Sequence, residues 1–429
     1  MAPRLGAAER PATAPRGPGE PYRSAGPLTG VASPGSLLDH LECRACCAIV
    51  AADRPVGPCP TCGHTLFAEY HLDRLDAARW RSGLAERPAT LWRYRELLPV
   101  EHSEAITTLG EGFSPVLDLG EVPEAPGVRV SLKDDGGLPT GSFKARGMAV
   151  AVSRARELGL KELFVPSAGN AGVALAAYSA RARLHARVYL PEETPPSMAQ
   201  QCRQYGAEVV TVRGTIRETG ASAREAEARS GAFDMSTLRE PYRVEGKKTM
   251  GLEIFEQLPG DDLPDAILYP TGGGTGLVGM AKAFRELGAL GLLARTPRLY
   301  AVQPSGCAPV VRALREGGAR VGPWEGPRTI APGLLVPAPF ASERILEAVR
   351  STHGDGVTLD DREIVAAMRQ LADRHGVSAS PEGAAPYAAL ARLTREGRVR
   401  QGEHVLLYNT GSGLPFSIDA LEQATRGPS

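Results

Sequence analysis

Aromatic residues make up only 5% of this 429-residue chain, and lysine is rarer still, with six among the 49 basic residues. The 49 acidic residues cancel the 49 basic ones, so no net field draws the chain toward nucleic acid or an anionic membrane. No apolar run reaches the roughly 20 residues that span a bilayer. The longest candidates are broken by Pro, Arg or Gly, as in Gly333-Leu-Leu-Val-Pro-Ala-Pro. Seven cysteines are too sparse for a disulfide scaffold, and the N-terminus has no continuous apolar stretch of the secretory kind. A reducing cytoplasm is the expected compartment.

What is present points to folded units of ordinary size. With 42% apolar side chains and 49 glycines, the chain is long enough for two or three units. The first 36 residues are mostly Ala, Pro, Gly and scattered Arg. Ordering them would cost more entropy than their small side chains recover, so residues 1–36 are expected to be a flexible tail. Next come Cys43-Arg-Ala-Cys46 and Cys59-Pro-Thr-Cys62, two C-x2-C pairs separated by twelve residues. Each pair forms a tight knuckle, and two knuckles close a four-thiolate zinc site with no open position, so the expected metal is structural. Cys47 competes with Cys46 as a ligand, and His64 is near enough to replace a thiolate. The competing reading is two cysteine pairs without metal, but a segment this short needs a staple to fold. Residues 37–72 are therefore expected to form a zinc-ribbon-like module.

From about Val128 onward, short β-branched or apolar runs alternate with longer helical patterns. Strands are expected at Val128–Leu132, Leu163–Pro166, Arg187–Leu190, Glu208–Val212, Ala266–Tyr269, Leu299–Val302 and His404–Tyr408. Helices are expected at Lys144–Leu158, Ala171–Arg181, Gly214–Arg229, Thr275–Leu287, Asp361–His375 and Pro386–Glu396. Such alternation predicts an α/β fold with mostly parallel strands, and the number of strands predicts two lobes with a cleft between them. Chemistry in such sheets belongs in the loops that follow strands.

Four loops stand out. Lys144 follows a Gly-rich turn in Pro139-Thr-Gly-Ser-Phe-Lys144 and opens a helix among apolar neighbours. Desolvation there would favour the neutral, nucleophilic amine that a Schiff base requires. Ser167-Ala-Gly-Asn170 follows the second expected strand and offers an amide that both donates and accepts. Thr271-Gly272-Gly273-Gly274-Thr275 leads into a helix, and consecutive amides at a helix N-terminus form a nest for a phosphate. Asn409-Thr410-Gly-Ser-Gly413 offers hydroxyls for a ring nitrogen. Any one Gly-rich loop is at least as well explained by a plain turn. Together they describe a site for a phosphate-bearing carbonyl cofactor with a ring, pyridoxal 5'-phosphate.

On these stretches, and on Pro241-Tyr-Arg243-Val-Glu-Gly-Lys247-Lys-Thr249, the chain resembles the fold type II, tryptophan-synthase-type pyridoxal-phosphate enzymes. It is most similar to the threonine synthase and threonine-synthase-like branch with an N-terminal zinc ribbon, over about residues 41–419. The resemblance implies a two-lobed catalytic region over 73–429. It implies that Lys144 holds the cofactor and shuttles protons, that Asn170 meets the ring hydroxyl, that residues 271–275 hold its phosphate, and that Thr410 faces the ring nitrogen. Ser167, Arg243 and Lys247 resemble substrate-binding residues, the last two suited to a phosphate; a solvated helix face paired through Glu245 is their bland explanation. Glu382, in Ser380-Pro-Glu-Gly-Ala, is either beside the cofactor or part of a helix cap.

The activity implied is conversion of O-phosphohomoserine and water to threonine and phosphate by a cytoplasmic homodimer acting on a small amino acid, with no nucleic-acid or membrane partner. The sequence also departs from the branch. Ala145 stands where an Asp usually follows the lysine, Ala171-Gly172 where hydroxyl residues continue the asparagine loop, and Ser236-Thr237-Leu238 where asparagines are expected. The missing groups are ones that would help hold a substrate phosphate. β-Elimination or β-replacement on serine, threonine or O-phosphoserine is the alternative chemistry; a docking or ligand-sensing scaffold without turnover is the non-enzymatic reading, whose mark would be loss of the lysine, and Lys144 is present.

Overall fold

In the computed structural model, residues 35–426 are described. The tail expected over 1–36 therefore lies outside the described residues, except for Gly35 and Ser36. Ser36 Oγ donates to the Leu98 carbonyl and the Leu37 N–H to that of Glu96, so the chain is docked from residue 36 onward.

The first sheet is antiparallel, with order β2-β1-β3: β1 Leu38–Cys43, β2 Ile49–Ala51 and β3 Leu66–Tyr70. Its inward face supplies Leu41, Cys43, Leu66 and Ala68, which pack with Trp92, Ala145 and Met148 of the larger body. So short a sheet could not bury these side chains alone.

The large sheet has six strands in the order β12-β11-β10-β13-β5-β4. These are β4 Val116–Asp118, β5 Arg129–Asp134, β10 Ala266–Pro270, β11 Arg298–Pro304, β12 Gly356–Leu359 and β13 His404–Asn409. All neighbours are parallel except β4, which pairs antiparallel with β5 at the edge. Between β5 and β10 the chain builds a second, four-stranded parallel sheet, β8-β7-β6-β9. Its strands are β6 Glu162–Pro166, β7 His185–Pro191, β8 Glu208–Val212 and β9 Phe233–Asp234. Both lobes predicted from the alternation are present, and every expected strand and helix has its counterpart within a few residues.

Two crossings join the lobes: the helix Lys144–Glu157 leaves the large lobe and the helix Arg243–Gln257 returns to it. They touch at glycines. A Cβ on Gly246 would lie 2.1 Å from the Arg146 carbonyl oxygen, and one on Gly147 would lie 2.9 Å from that of Arg243. The helix Thr275–Ala289 packs on the other side of the return helix, where a Cβ on Gly279 would meet the Lys247 backbone at 2.8 Å. Backbones this close leave little room for large side chains, and the return helix is lined with buried charge instead. Arg146, Glu253, Lys133 and Asp135 form one fully buried network, with Lys133 Nζ 2.8 Å from Glu253 and Arg146 Nε 2.7 Å from Asp135. Burial alone would push the Glu253 carboxyl up, but Arg146 and Lys133 hold it down at about 2.

Candidate active site

A cavity of about 650 Å³ opens between the two sheets. Loops at the carboxyl ends of β6, β10 and β13 reach it, where ligands of open parallel sheets sit. Its wall includes Lys144, Ser167, Asn170, Gly272, Gly273, Gly274, Thr275 and Thr410.

Lys144 is half-buried and opens on this cavity. The loop before it turns through left-handed residues, Thr140 at φ 63° and Gly141 at φ 70°. Two backbone hydrogen bonds then fix it to the loop after β13: Phe143 N–H to the Thr410 carbonyl at 3.0 Å and Ser412 N–H to that of Gly141 at 2.9 Å. Lysine loop and Thr410 loop are thus one assembly. The Lys144 ammonium lies 4.3 Å from the Phe143 ring centroid. Desolvation first, and then the nearby Arg243 charge, lower its pKa to about 7, while Glu382 acts in the opposite direction. A substantial share of the amine is therefore neutral near physiological pH.

The triglycine loop lines the same cavity. The N–H groups of Gly272, Gly273 and Gly274 have no hydrogen-bond partner among the described residues, and the helix Thr275–Ala289 begins directly after them. Two of its three positions admit no side chain. A Cβ on Gly272 would meet the Gly333 carbonyl at 2.3 Å, and Gly274, at φ 71°, would drive one into Ile345 at the same distance. Free amides at a helix start suit a phosphate dianion. The donor set as a whole, an amine of lowered pKa, an amide cradle, the Asn170 amide and the Thr410 hydroxyl, fits pyridoxal phosphate.

The other expected site residues are placed differently. Ser167 lines the wall, but its Oγ already accepts from the N–H groups of Gly169 and Gly172 at 3.1 and 2.9 Å. Thr271 turns away: its hydroxyl donates to the Tyr269 carbonyl at 3.0 Å, and it is not part of the wall. Arg243 and Lys247 are not on a solvated face. Both are buried behind Lys144, with Arg243 Nη1 donating to the Met235 carbonyl at 2.6 Å and Lys247 Nζ to that of Phe143. Neither lines the cavity.

Glu382 does line it. The residue is buried in the first turn of the helix Pro381–Arg395, Oε1 accepts from the Gly333 N–H at 2.7 Å, and Oε2 has no hydrogen-bond partner. Sequence reasoning missed the arginines on the wall, Arg217, Arg224 and Arg239. The first two lie on a helix with an ordinary amphipathic pattern, so nothing local marks them.

The cysteine cluster is separate. The sulfurs of Cys43, Cys46, Cys59 and Cys62 all lie within 4.8 Å of one another, with Cys43 and Cys62 at 3.4 Å and Cys46 and Cys59 at 3.7 Å. Four thiolates at about 2.3 Å from one tetrahedral zinc would be about 3.8 Å apart. The two competitors are elsewhere: Cys47 is exposed at φ 58°, and His64 Nε2 lies 4.0 Å from Glu343.

Comparison with known proteins agrees with this geometry. The family described as "Pyridoxal-phosphate dependent enzyme" matches residues 107–411. A threonine synthase of Methanosarcina acetivorans is 32% identical over 393 residues, covering 90% of this chain and 95% of the relative. One of Methanocaldococcus jannaschii is 31% identical over 389 residues, with the same coverages. Among solved structures, maize serine racemase superposes with a TM-score of 0.62 at 21% identity, over 73% of this chain and 91% of that one, a likeness of fold.

Proposed function

This chain belongs to the pyridoxal-phosphate dependent enzyme family, and from that premise we propose that it is a threonine synthase, a lyase converting O-phosphohomoserine and water to threonine and phosphate. The observation that carries the chemistry is Lys144, an amine with a pKa near 7 sharing one cavity with an amide cradle. Similarity to threonine synthases over nine-tenths of the chain carries the substrate.

The cofactor, when bound, supplies a carbonyl that condenses with amines and a ring that takes up the electrons of a broken Cα–H bond. The residues of the chain hold it and move protons. Gly272, Gly273, Gly274 and Thr275 would hold its phosphate, Asn170 its ring hydroxyl and Thr410 its ring nitrogen, with Thr271 buttressing the cradle from behind. Lys144 Nζ, neutral in part at working pH, takes the proton from the substrate Cα and then one from Cβ, which lets phosphate leave Cγ; protons return to Cγ and, as water adds its hydroxyl at Cβ, to Cα. Arg243 and Lys247 serve from behind the wall, Arg243 by keeping the Lys144 amine deprotonated. Ser167 holds the asparagine loop in shape beside the substrate. A neutral Thr410 hydroxyl at the ring nitrogen would not stabilise a ring N–H cation as a carboxylate does, which would moderate the electron sink.

We place a structural zinc on Cys43, Cys46, Cys59 and Cys62, in a module over residues 37–72 that precedes the catalytic region over 73–429. We also propose a cytoplasmic homodimer; no described helix is long and apolar enough to cross a membrane. Sedimentation of the purified protein tests the dimer. The activity is tested by phosphate release from O-phosphohomoserine, measured beside ketoacid release from serine and threonine. Faster turnover of serine or threonine would replace the synthase with a β-eliminating enzyme of the same family.

A further inference from the structure

The substrate assigned above carries a phosphate dianion of its own, yet Arg243 and Lys247, the basic residues the sequence offers for it, do not reach the cavity. Three other arginines do, and of these Arg217 is exposed while the remaining two are not. Arg224, on the helix Ile216–Glu227, and Arg239, just after β9, both line the wall on the side of the small sheet, and both are half-buried.

Their surroundings lack an equal amount of negative charge. Arg239 Nε lies 3.4 Å from Asp234 Oδ2 without a well-formed hydrogen bond. The other oxygen of Asp234 already accepts from the Ser236 N–H at 2.8 Å and from the Ser236 hydroxyl. Arg224 makes no hydrogen bond or ion pair among the described residues, and its Nη1 lies 3.2 Å from where a Cβ on Gly220 would be. Burial, and then the Arg239 charge, lower the pKa of Arg224, with Asp234 the only opposing charge. The Arg239 guanidinium also stacks 4.7 Å from the Phe340 ring centroid, which fixes its plane. Two cations thus share one committed carboxylate at the wall of a cavity. Guanidinium forks in such a setting are completed by a bidentate oxyanion.

We infer that Arg224 and Arg239 form the recognition site for the distal phosphate of the substrate, a phosphate monoester dianion, an inference that rests on the synthase reading. The triglycine cradle already supplies free amides and a helix N-terminus for the cofactor phosphate. Thr237 joins the two sites, its Cγ2 lying 3.3 Å from where a Cβ on Gly273 would be.

The test uses the full-length holoenzyme as wild type, R224Q, R239Q and the double variant, with R224K/R239K as a control that keeps the charge. Calorimetry measures binding of inorganic phosphate, steady-state assays follow phosphate release from O-phosphohomoserine, and cofactor affinity is measured on the apoprotein. Each glutamine substitution should raise KM for O-phosphohomoserine on the order of ten- to a hundredfold, with kcat changed by less than about threefold. Inorganic phosphate binding should be lost in the double variant and partly retained in the lysine control. Unchanged phosphate binding in the double variant, or no phosphate binding by wild type, would overturn the site. Loss of cofactor affinity in step with phosphate binding would also overturn it, by assigning the arginines to the cofactor phosphate. If wild type binds phosphate through the two arginines but releases none from O-phosphohomoserine, the synthase reading fails while the anion site stands.

Discussion

The Tyr70 hydroxyl donates to Glu245 Oε2 at 2.9 Å, joining the cysteine-bearing sheet to the helix that carries Arg243 and Lys247. Glu245 in turn pairs with Lys248 at 2.7 Å and Lys282 at 3.2 Å, and Glu286 completes a buried four-charge cluster against the Tyr70 ring. The ring is therefore a lid on buried charge. Removing only its hydroxyl leaves a buried carboxylate with one donor fewer, so Tyr70→Phe should cost about 1–3 kcal/mol in denaturant unfolding. Zinc content and the cofactor spectrum should stay as in wild type. A variant as stable as wild type would show that the lysines alone satisfy Glu245.

The metal prediction follows from the same join. Metal analysis should find one zinc per chain, and Cys59→Ser should lower the unfolding midpoint because the sheet face carrying Leu41, Leu66 and Ala68 is packed into the main core. The visible spectrum of the cofactor should survive at temperatures where the variant is folded. Abolished activity with a full zinc complement would instead give a thiol a part in the chemistry.

Lys144 sets the pH dependence. Its folded-state pKa, near 7, lies below the ordinary lysine value of 10.5. Between these limits the unfolded chain binds a proton that the folded apoprotein does not, so this site's contribution to apoprotein stability improves as pH rises from about 7 and is most unfavourable below that. Lys144→Met should accordingly stabilise the apoprotein more near pH 7 than near the ordinary lysine range. Capture of pyridoxal phosphate by the wild-type apoprotein, followed in the visible, should accelerate through about pH 7 and then level off, and it should be absent in Lys144→Met. A capture rate still climbing steeply well above pH 8 would mean an ordinary, solvated lysine.

How much of this was legible in the sequence depended on the kind of signal. Strands such as Ala266–Pro270 and loops such as Gly272–Thr275 were readable because alternation and glycine spacing are local. The helix Arg243–Gln257 was not assigned from its pattern, since Arg243, Glu245, Lys247, Lys248 and Glu253 interrupt any apolar stripe. Those charges are buried because Gly246 and Gly147 let two backbones approach and partners on other elements neutralise them, a pairing over more than a hundred residues of chain. For the same reason Arg243 and Lys247 could be placed near the site but not behind its wall. Arg224 and Arg239 come to one cavity only through the fold of the small lobe.

Glu382 gives the last prediction. Its Oε1 holds the Gly333 N–H at 2.7 Å, its Oε2 is buried without a partner, and its negative charge opposes the lowering of the Lys144 pKa. Gly383 allows this placement, since a Cβ there would fall 1.8 Å from Asn409 Oδ1, so the turn bearing Glu382 packs directly beside Thr410. Glu382→Gln keeps a carbonyl oxygen for Gly333 but removes the charge. The Lys144 amine should then lose its remaining support for the protonated form, and the pH at which cofactor capture reaches half its plateau should move down. With less of the amine able to return a proton at working pH, kcat should fall on the order of tenfold, equivalent to about 1.4 kcal/mol. Glu382→Ala should add a second effect: Gly333 loses its acceptor, the segment over residues 332–340 that walls the cavity is no longer tied down, and KM should rise as well. A Glu382→Gln enzyme whose capture profile stays in place, or moves to higher pH, would show that the carboxylate is a tether for Gly333 and has no electrostatic hold on the lysine.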